Sequence, residues 1–251
     1  METTIVRVEK HGLRHYEVTS GDGRIIGVFP SITTVLGETS DKSGLAKWRE
    51  RVGPEEADRI SNLSMNRGTI MHRLIELYKA TKGTSASRLK ELKKIASTDE
   101  EINQYSENVD GTIWLESGWE MFMKFYDNSD KFFDRIKRVI SAENFLWSKV
   151  GYAGTVDNIS EMTDGNILVI DYKNSRRPKR DAWIQDYLVQ GSSYFVAHWE
   201  RSGIKPNGVE IWIANEEDSI PQIFKLTEED IKYYFKEFQR RLELFKEKYP
   251  V

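Results

Sequence analysis

The sequence predicts one α/β domain: a central mixed β-sheet flanked by helices, with a helical insertion and an N-terminal β-hairpin. Three observations predict it. The hydrophobic spacing switches between a strand period and a helical period along the chain. The strand-like runs gather mainly in the second half, with helices between them. No internal repeat or low-complexity linker divides the 251 residues. At 39% hydrophobic and 31% charged, with 7 Trp, 11 Tyr and 11 Phe, the chain has enough large apolar side chains to close a core. A generally disordered chain is thereby excluded.

Residues 1–30 read as the hairpin. Ile5, Val6 and Val8 lead to Tyr16 and Val18, and Gly21-Asp22-Gly23 turns the chain into Ile25, Ile26, Val28 and Phe29. Residues 31–138 read as mainly helical. Ser31 and Thr33 follow Pro30 as caps, a helix is predicted from Gly44 to Arg51, and Pro54-Glu55-Glu56 suits a helical first turn. From Met65 to Ala80, Ile70, Leu74, Leu77 and Tyr78 form one amphipathic stripe. Thr81 to Ser106 is polar and reads as a weak surface helix or a mobile excursion. Gly111 to Phe133 returns to helical spacing, carrying Trp114, Trp119, Phe122, Phe125 and Tyr126.

Residues 139–251 read as the sheet core. Strands are predicted at Val139–Trp147, Tyr152–Ile159 and Ile167–Tyr172, with Thr163-Asp164-Gly165-Asn166 turning between the last two. A helix over Arg180–Arg201 follows, then strands at Val209–Ala214 and Ile220–Leu226. Thr227-Glu228-Glu229-Asp230 caps a final helix that reaches Lys248.

Composition removes several chemistries. The chain has no cysteine, which excludes disulfides, thiol catalysis, cysteine zinc sites and iron–sulfur ligation. Its apolar runs are too short to span a bilayer. The N-terminus lacks a basic region followed by an apolar stretch, so no secretory or organellar presequence is expected. A cytoplasmic monomer without a membrane partner is the expectation. Net charge is −3, which argues against an overall positive coat but leaves room for a local basic groove. His11, His15, His72 and His198 are the only imidazoles.

Two acids stand out. Asp157 in GYAGTVDNI and Asp171 in ILVIDYK are 14 positions apart across the predicted turn. Paired strands can bring two such residues together on one face, and Lys173, two beyond Asp171, shares that face. Paired carboxylates suit a hard divalent cation, Mg²⁺ or Mn²⁺. An ammonium beside them would steady an attacking water or the charge developing on a phosphoryl group. The bland alternative is a surface hairpin with ordinary ion pairs, since an isolated Asp-x-Lys triplet is common.

The rest of the chain changes that balance. Gly68-Thr69-Ile70-Met71-His72, Gly154-Thr155-Val156-Asp157, Asp171-Tyr172-Lys173 and Gln190-Gly191-Ser192-Ser193-Tyr194 occur in this order. With Pro30-Ser31-Ile32-Thr33 and Trp48, they resemble the PD-(D/E)xK nucleases, in particular the RecB-type exonuclease branch. That branch includes the mitochondrial genome maintenance exonuclease and phage relatives. The resemblance runs from Phe29 to His198, leaving Thr81–Ser106 unmatched.

The resemblance implies a restriction-endonuclease-like core and a Mg²⁺- or Mn²⁺-dependent deoxyribonuclease. Its substrate would be the ends or flaps of single-stranded DNA, in replication, recombination or repair. The alternatives are a structure-specific endonuclease on this fold, or a non-catalytic nucleic-acid-binding module. By resemblance, His72, Asp157, Asp171 and the Tyr172 carbonyl are metal ligands, and Lys173 is the catalytic lysine acting with both aspartates. Gln190 would orient Lys173 or the water, and Tyr194 would meet phosphate or substrate. Val156 stands where the family's name has proline. Glu143 is assigned a structural or salt-bridge role, with help to a second metal as the alternative. His11, His15 and His198 are assigned no chemistry.

For the nucleic acid, the loop after the strand is the main candidate. Asp171 to Arg180 contains five basic residues and one acid. Arg176, Arg177 and Lys179 are expected to hold phosphates, with Asn174 and Ser175 donating to the same backbone. A solvated loop is the alternative. Ser31, Arg67, Lys47 and Arg51 are further candidates, and Phe29, Trp48 and Tyr152 are candidates for stacking on bases. By analogy with the family, the helices between Gly44 and Phe133 would arch over the cleft. No GxxxxGK[ST] motif is present, so unwinding calls for a replication or recombination partner.

Overall fold

A computed structural model describes residues 3–105 and 114–250 of the chain. The predicted hairpin is a three-stranded antiparallel sheet of β1 (Thr3–Lys10), β2 (Leu13–Ser20) and β3 (Ile25–Pro30). The additional turn is His11-Gly12, with φ of 56° and 70°. Two successive left-handed residues give the tight turn whose twist matches a hairpin. Glycine takes the second without steric cost, but histidine at the first gives little sequence cue.

The helical region is better packed than its composition suggests. Helix α1 (Ile32–Thr39) is followed by α2 (Ser43–Val52) and the 27-residue α3 (Pro54–Ala80). The turn at Pro54 and the stripe from Met65 thus belong to one helix. Between them the sequence lacks a clean apolar period but also lacks a breaker. The stretch expected to be weak or mobile contains α4 (Ser85–Ala96) and α5 (Glu100–Gln104). Its few apolar residues point inward, with Leu92 and Ile102 fully buried. Helix α6 (Trp114–Asp127) ends before Phe133, giving way to short 3₁₀ turns. The Gly111–Ile113 start predicted for it, and Ser106, lie outside the described residues.

The sheet core forms as predicted, with longer strands except the last, which begins at Gln222 rather than Ile220. Strands β4 (Ile136–Ser148), β5 (Tyr152–Met162), β6 (Ile167–Ser175), β7 (Gly208–Asn215) and β8 (Gln222–Leu226) lie side by side in chain order. Only β6–β7 is parallel, with α7 (Gln185–Ser202) between them in sequence. Helix α8 (Glu228–Lys248) starts at a complete capping box made by Thr227 and Asp230.

Both sheet faces are covered. On β7, Val209, Ile211 and Ile213 join the core made with α1, α7 and α8. Trp212 and Ala214 join the core made with α3, α4 and α6. A strand buried on both faces carries apolar residues on both, which explains the unbroken Val-Glu-Ile-Trp-Ile-Ala run. Among the described residues no helix is long and apolar enough to cross a membrane.

The exception in that run is Glu210. It is 3% exposed and accepts two guanidinium hydrogen bonds from Arg135 at 2.8 Å and one from the Trp212 indole at 2.7 Å. Burial raises its pKa, but Arg135 and Trp212 lower it further, so the net position is below the usual carboxylate range. A depressed folded pKa stabilises the protein above the unfolded pKa, and this contribution is lost as pH falls through the folded value. Glu210→Gln is expected to cost about 2–3 kcal/mol at neutral pH. Its urea midpoint should also respond less to acid than the parent's. Equal acid responses in the two proteins would refute this account.

Candidate active site

The site forms where two strands part. The β5–β6 ladder is paired as far as Asn158–Ile170, and Asp157 and Asp171 stand at the next position. Beyond that rung the Tyr172 N–H donates to Asp157 Oδ2 at 2.8 Å. Asp171 is fully buried, and its Oδ1 has no hydrogen-bond partner among the described residues. Lys173 Nζ is 2.5 Å from Asp171 Oδ2, a charge-assisted contact inside the site. Burial pushes the Asp171 pKa up and Asp157 adds to the rise, while Lys173 opposes it. Burial pulls the Lys173 pKa down, but the two aspartates more than offset this, so it remains an ammonium.

Helix α3 brings His72 to the parted strands. A Cβ at Gly68 would stand 2.6 Å from Asn174 Nδ2, so glycine there leaves room for the Asn174 amide between α3 and β6. His72 Nε2 is 2.8 Å from the Tyr172 carbonyl oxygen, and Nδ1 is 3.6 Å from Asp157 Oδ2. Burial lowers its pKa most, favouring the neutral ring. A carbonyl can only accept, so Nε2 carries the proton and donates. The Nδ1 lone pair therefore faces a carboxylate oxygen with no proton between them. That opposition suits a cation.

Glu143 completes the cluster. Ala142–Asn158 and Asn144–Val156 are paired across β4–β5, which sets Glu143 opposite Asp157. Its φ is 46°, a left-handed conformation uncommon for a side-chain-bearing residue and associated with functional strain. His72, Glu143 and Asp157 each offer an atom within 4.8 Å of the others. Burial, then the charge of Asp157, pushes the Glu143 pKa up to about 8. This placement favours the alternative held for Glu143, help to a metal, over the structural or salt-bridge role expected of it. Lys79, whose pKa burial pulls down to about 8, is the cation felt by Glu143.

These groups open on a cleft of ≈710 Å³, lined by His72, Glu143, Thr155, Tyr172, Lys173 and Asn174 among others. An imidazole lone pair with clustered carboxylates fits a hard divalent cation. Asp171 Oδ1, without a hydrogen-bond partner among the described residues, adds to that fit. Residues 44–250 match the family model described as the PD-(D/E)XK nuclease superfamily. The chain belongs to that superfamily. Members use divalent metals, in keeping with the donor set of this nuclease.

Other comparisons are more distant. A crystal structure of a "putative exonuclease" from Eubacterium rectale is 10% identical, with a TM-score of 0.43. That similarity covers 66% of this chain and 68% of the other. A structure of the protein SSO0001 is 14% identical with a TM-score of 0.31, covering 67% of this chain and 82% of the other. Neither score carries the argument beyond the family match. No curated protein matches the chain.

Several residues expected to touch nucleic acid are buried in the nuclease. Tyr194 is 3% exposed and its hydroxyl accepts from Gln190 Nε2 at 3.3 Å, so it supports Gln190 rather than facing phosphate. Ser31 is buried, and its Oγ accepts from the Thr34 N–H at 3.0 Å as the cap of α1. Arg67 is buried, donating to Asn174 Oδ1 at 2.7 Å and pairing with Glu216. Ser175 is also buried and donates to the Arg177 carbonyl at 2.7 Å, shaping the loop. Tyr152 is enclosed in the core, while half-buried Phe29 stacks on Trp147.

The basic loop is different. Arg176, Arg177 and Lys179 meet Trp48, Arg51 and Trp183 around a second depression of ≈400 Å³. Trp183, 59% exposed, escaped sequence reasoning, although Arg180 three residues earlier lies 5.2 Å from its ring centroid.

Proposed function

We propose that this nuclease is a Mg²⁺- or Mn²⁺-dependent exonuclease acting on the ends of single-stranded DNA. The observation that carries the metal dependence is the His72 Nδ1 lone pair facing Asp157 Oδ2, with Glu143 beside them. The preference for single-strand ends rests on the motif resemblance and on the tryptophans beside the basic loop. His72, Glu143, Asp157 and Asp171 would hold the cation. When bound, a divalent ion polarises the phosphoryl oxygen and lowers the pKa of a water.

The remaining chemistry belongs to the chain. Lys173, kept cationic by the aspartates, can orient the attacking water and offset charge developing on the phosphate. Asp171 fixes that ammonium at 2.5 Å. Arg176, Arg177 and Lys179 offer charge for the backbone, and Trp48 and Trp183 offer stacking surface. Stacking contributes about 1–3 kcal/mol per base without sequence preference, which suits an unpaired strand. Replication or recombination proteins are the partners proposed to supply such strands.

The test uses purified protein with end-labelled linear single strands, duplexes and closed circles, in Mg²⁺, Mn²⁺ or EDTA. Linear strands should shorten from an end, EDTA should stop the reaction, and circles should survive. Cutting of closed circles would replace the exonuclease reading with an endonuclease. No cutting of any substrate with either metal would refute catalysis.

A further inference from the structure

The catalytic cleft has a neighbour on the same sheet face. Opposed residues of an antiparallel pair point to one side. On β4–β5 the pairs Phe145–Thr155 and Trp147–Ala153 therefore continue the face that starts at Glu143 and Asp157. Thr155 lines the catalytic cleft, while Phe145 lines a separate depression of ≈450 Å³. From Glu143 to Trp147 the strand advances about 13 Å.

Three features of that depression point to a ligand. Phe145 is 41% exposed and offers an aromatic surface beside the cleft. Arg201 lies 4.0 Å over the Trp147 ring, at the end of the depression away from Thr155. Trp147 is 6% exposed, yet its Nε1–H has no hydrogen-bond partner among the described residues. The buried Nε–H of Arg201 also has none. The rest of the Arg201 guanidinium and Lys149 line the depression and give it positive charge. Ile5 and Ile26 wall the depression from the N-terminal sheet, which lies outside the family match at 44–250.

We infer that this depression is a second nucleotide subsite, formed jointly by β4 and the N-terminal sheet. An unpaired base lies against Phe145, and the Arg201 guanidinium and the Lys149 ammonium, which line the depression, meet its phosphate. Continuity with the cleft favours the substrate strand over a protein segment. This inference rests on the single-strand reading and extends it. It also gives the N-terminal sheet a task that the family match does not describe.

The test measures equilibrium binding by the full chain carrying Lys173→Ala, so that strands are bound without being cut. Labelled oligothymidylates from about 4 to 16 nucleotides serve as probes. Affinity should rise with length. Adding Phe145→Ala or Ile26→Glu should remove about tenfold of that gain. Both positions are 41% exposed, so folding should survive, and melting curves check this. Arg201→Gln should reduce the log–log salt slope for long strands by about 0.7, one phosphate contact. An unchanged length gain and salt slope in all three variants would overturn the subsite alone. Failure of the parent Lys173→Ala protein to bind single strands at any length would overturn both readings.

Discussion

Lys173→Ala is expected to lower strand hydrolysis by about 10²–10³-fold while leaving a folded protein. Folding is at stake because Asp171 is fully buried and Lys173 is its ionic partner. A buried carboxylate stripped of its cation would destabilise the fold by about 3–5 kcal/mol if it stayed charged. It need not stay charged. Burial already pushes its pKa up, and losing Lys173 removes the main opposing influence. Protonation therefore limits the stability loss, whereas nothing replaces the ammonium at the reacting phosphate. Single-turnover rates at saturating metal, read beside thermal melts, separate the two effects. A folded Lys173→Ala protein cutting at the parental rate would remove this lysine from the chemistry.

Glu143→Gln and His72→Ala address the metal. Each should raise the concentration of Mn²⁺ needed for half-maximal activity by about 100-fold. Groups that only support metal ligands already cost about 10–100-fold when mutated. Binding to the folded state also raises stability, so Mn²⁺ should raise the parent's melting temperature and barely move that of either variant. That readout does not depend on turnover. Without metal, Glu143→Gln should melt at or above the parent at neutral pH, because it removes a carboxyl whose ionisation is opposed first by burial and then by the charge of Asp157. A metal-induced rise as large in Glu143→Gln as in the parent would return Glu143 to a purely structural role.

Much of this site was legible because its signals are local. Asp171 and Lys173 are adjacent on one strand face, and Gln190 and Tyr194 are one helical turn apart. Their spacing alone brings each pair together. Glu143 carried no comparable signal. Its place beside Asp157 depends on the β4–β5 register, and that register shifts twice along the pair. Arg67 and Ser175 misled for the opposite reason. Both are polar residues next to motifs, and only burial reveals that their hydrogen bonds are directed within the protein. The helices α4 and α5 were underestimated because a polar segment can still fold when its few apolar residues share an inward face.

By itself the sequence determined the order of strands and helices and set Asp157, Asp171 and Lys173 to share one strand face. The family and the role expected of His72 came through the resemblance of its ordered motifs. Periodicity, turn chemistry and motifs all act over short stretches of chain. Tertiary structure alone decided that Glu143 joins His72 and Asp157, that Tyr194 is enclosed, and that Phe145 opens beside the cleft. Those outcomes depend on sheet register and on which surfaces the helices and the N-terminal sheet cover. Side chains far apart in sequence then meet, compete for protons or are shut away from water, and no local pattern encodes that result.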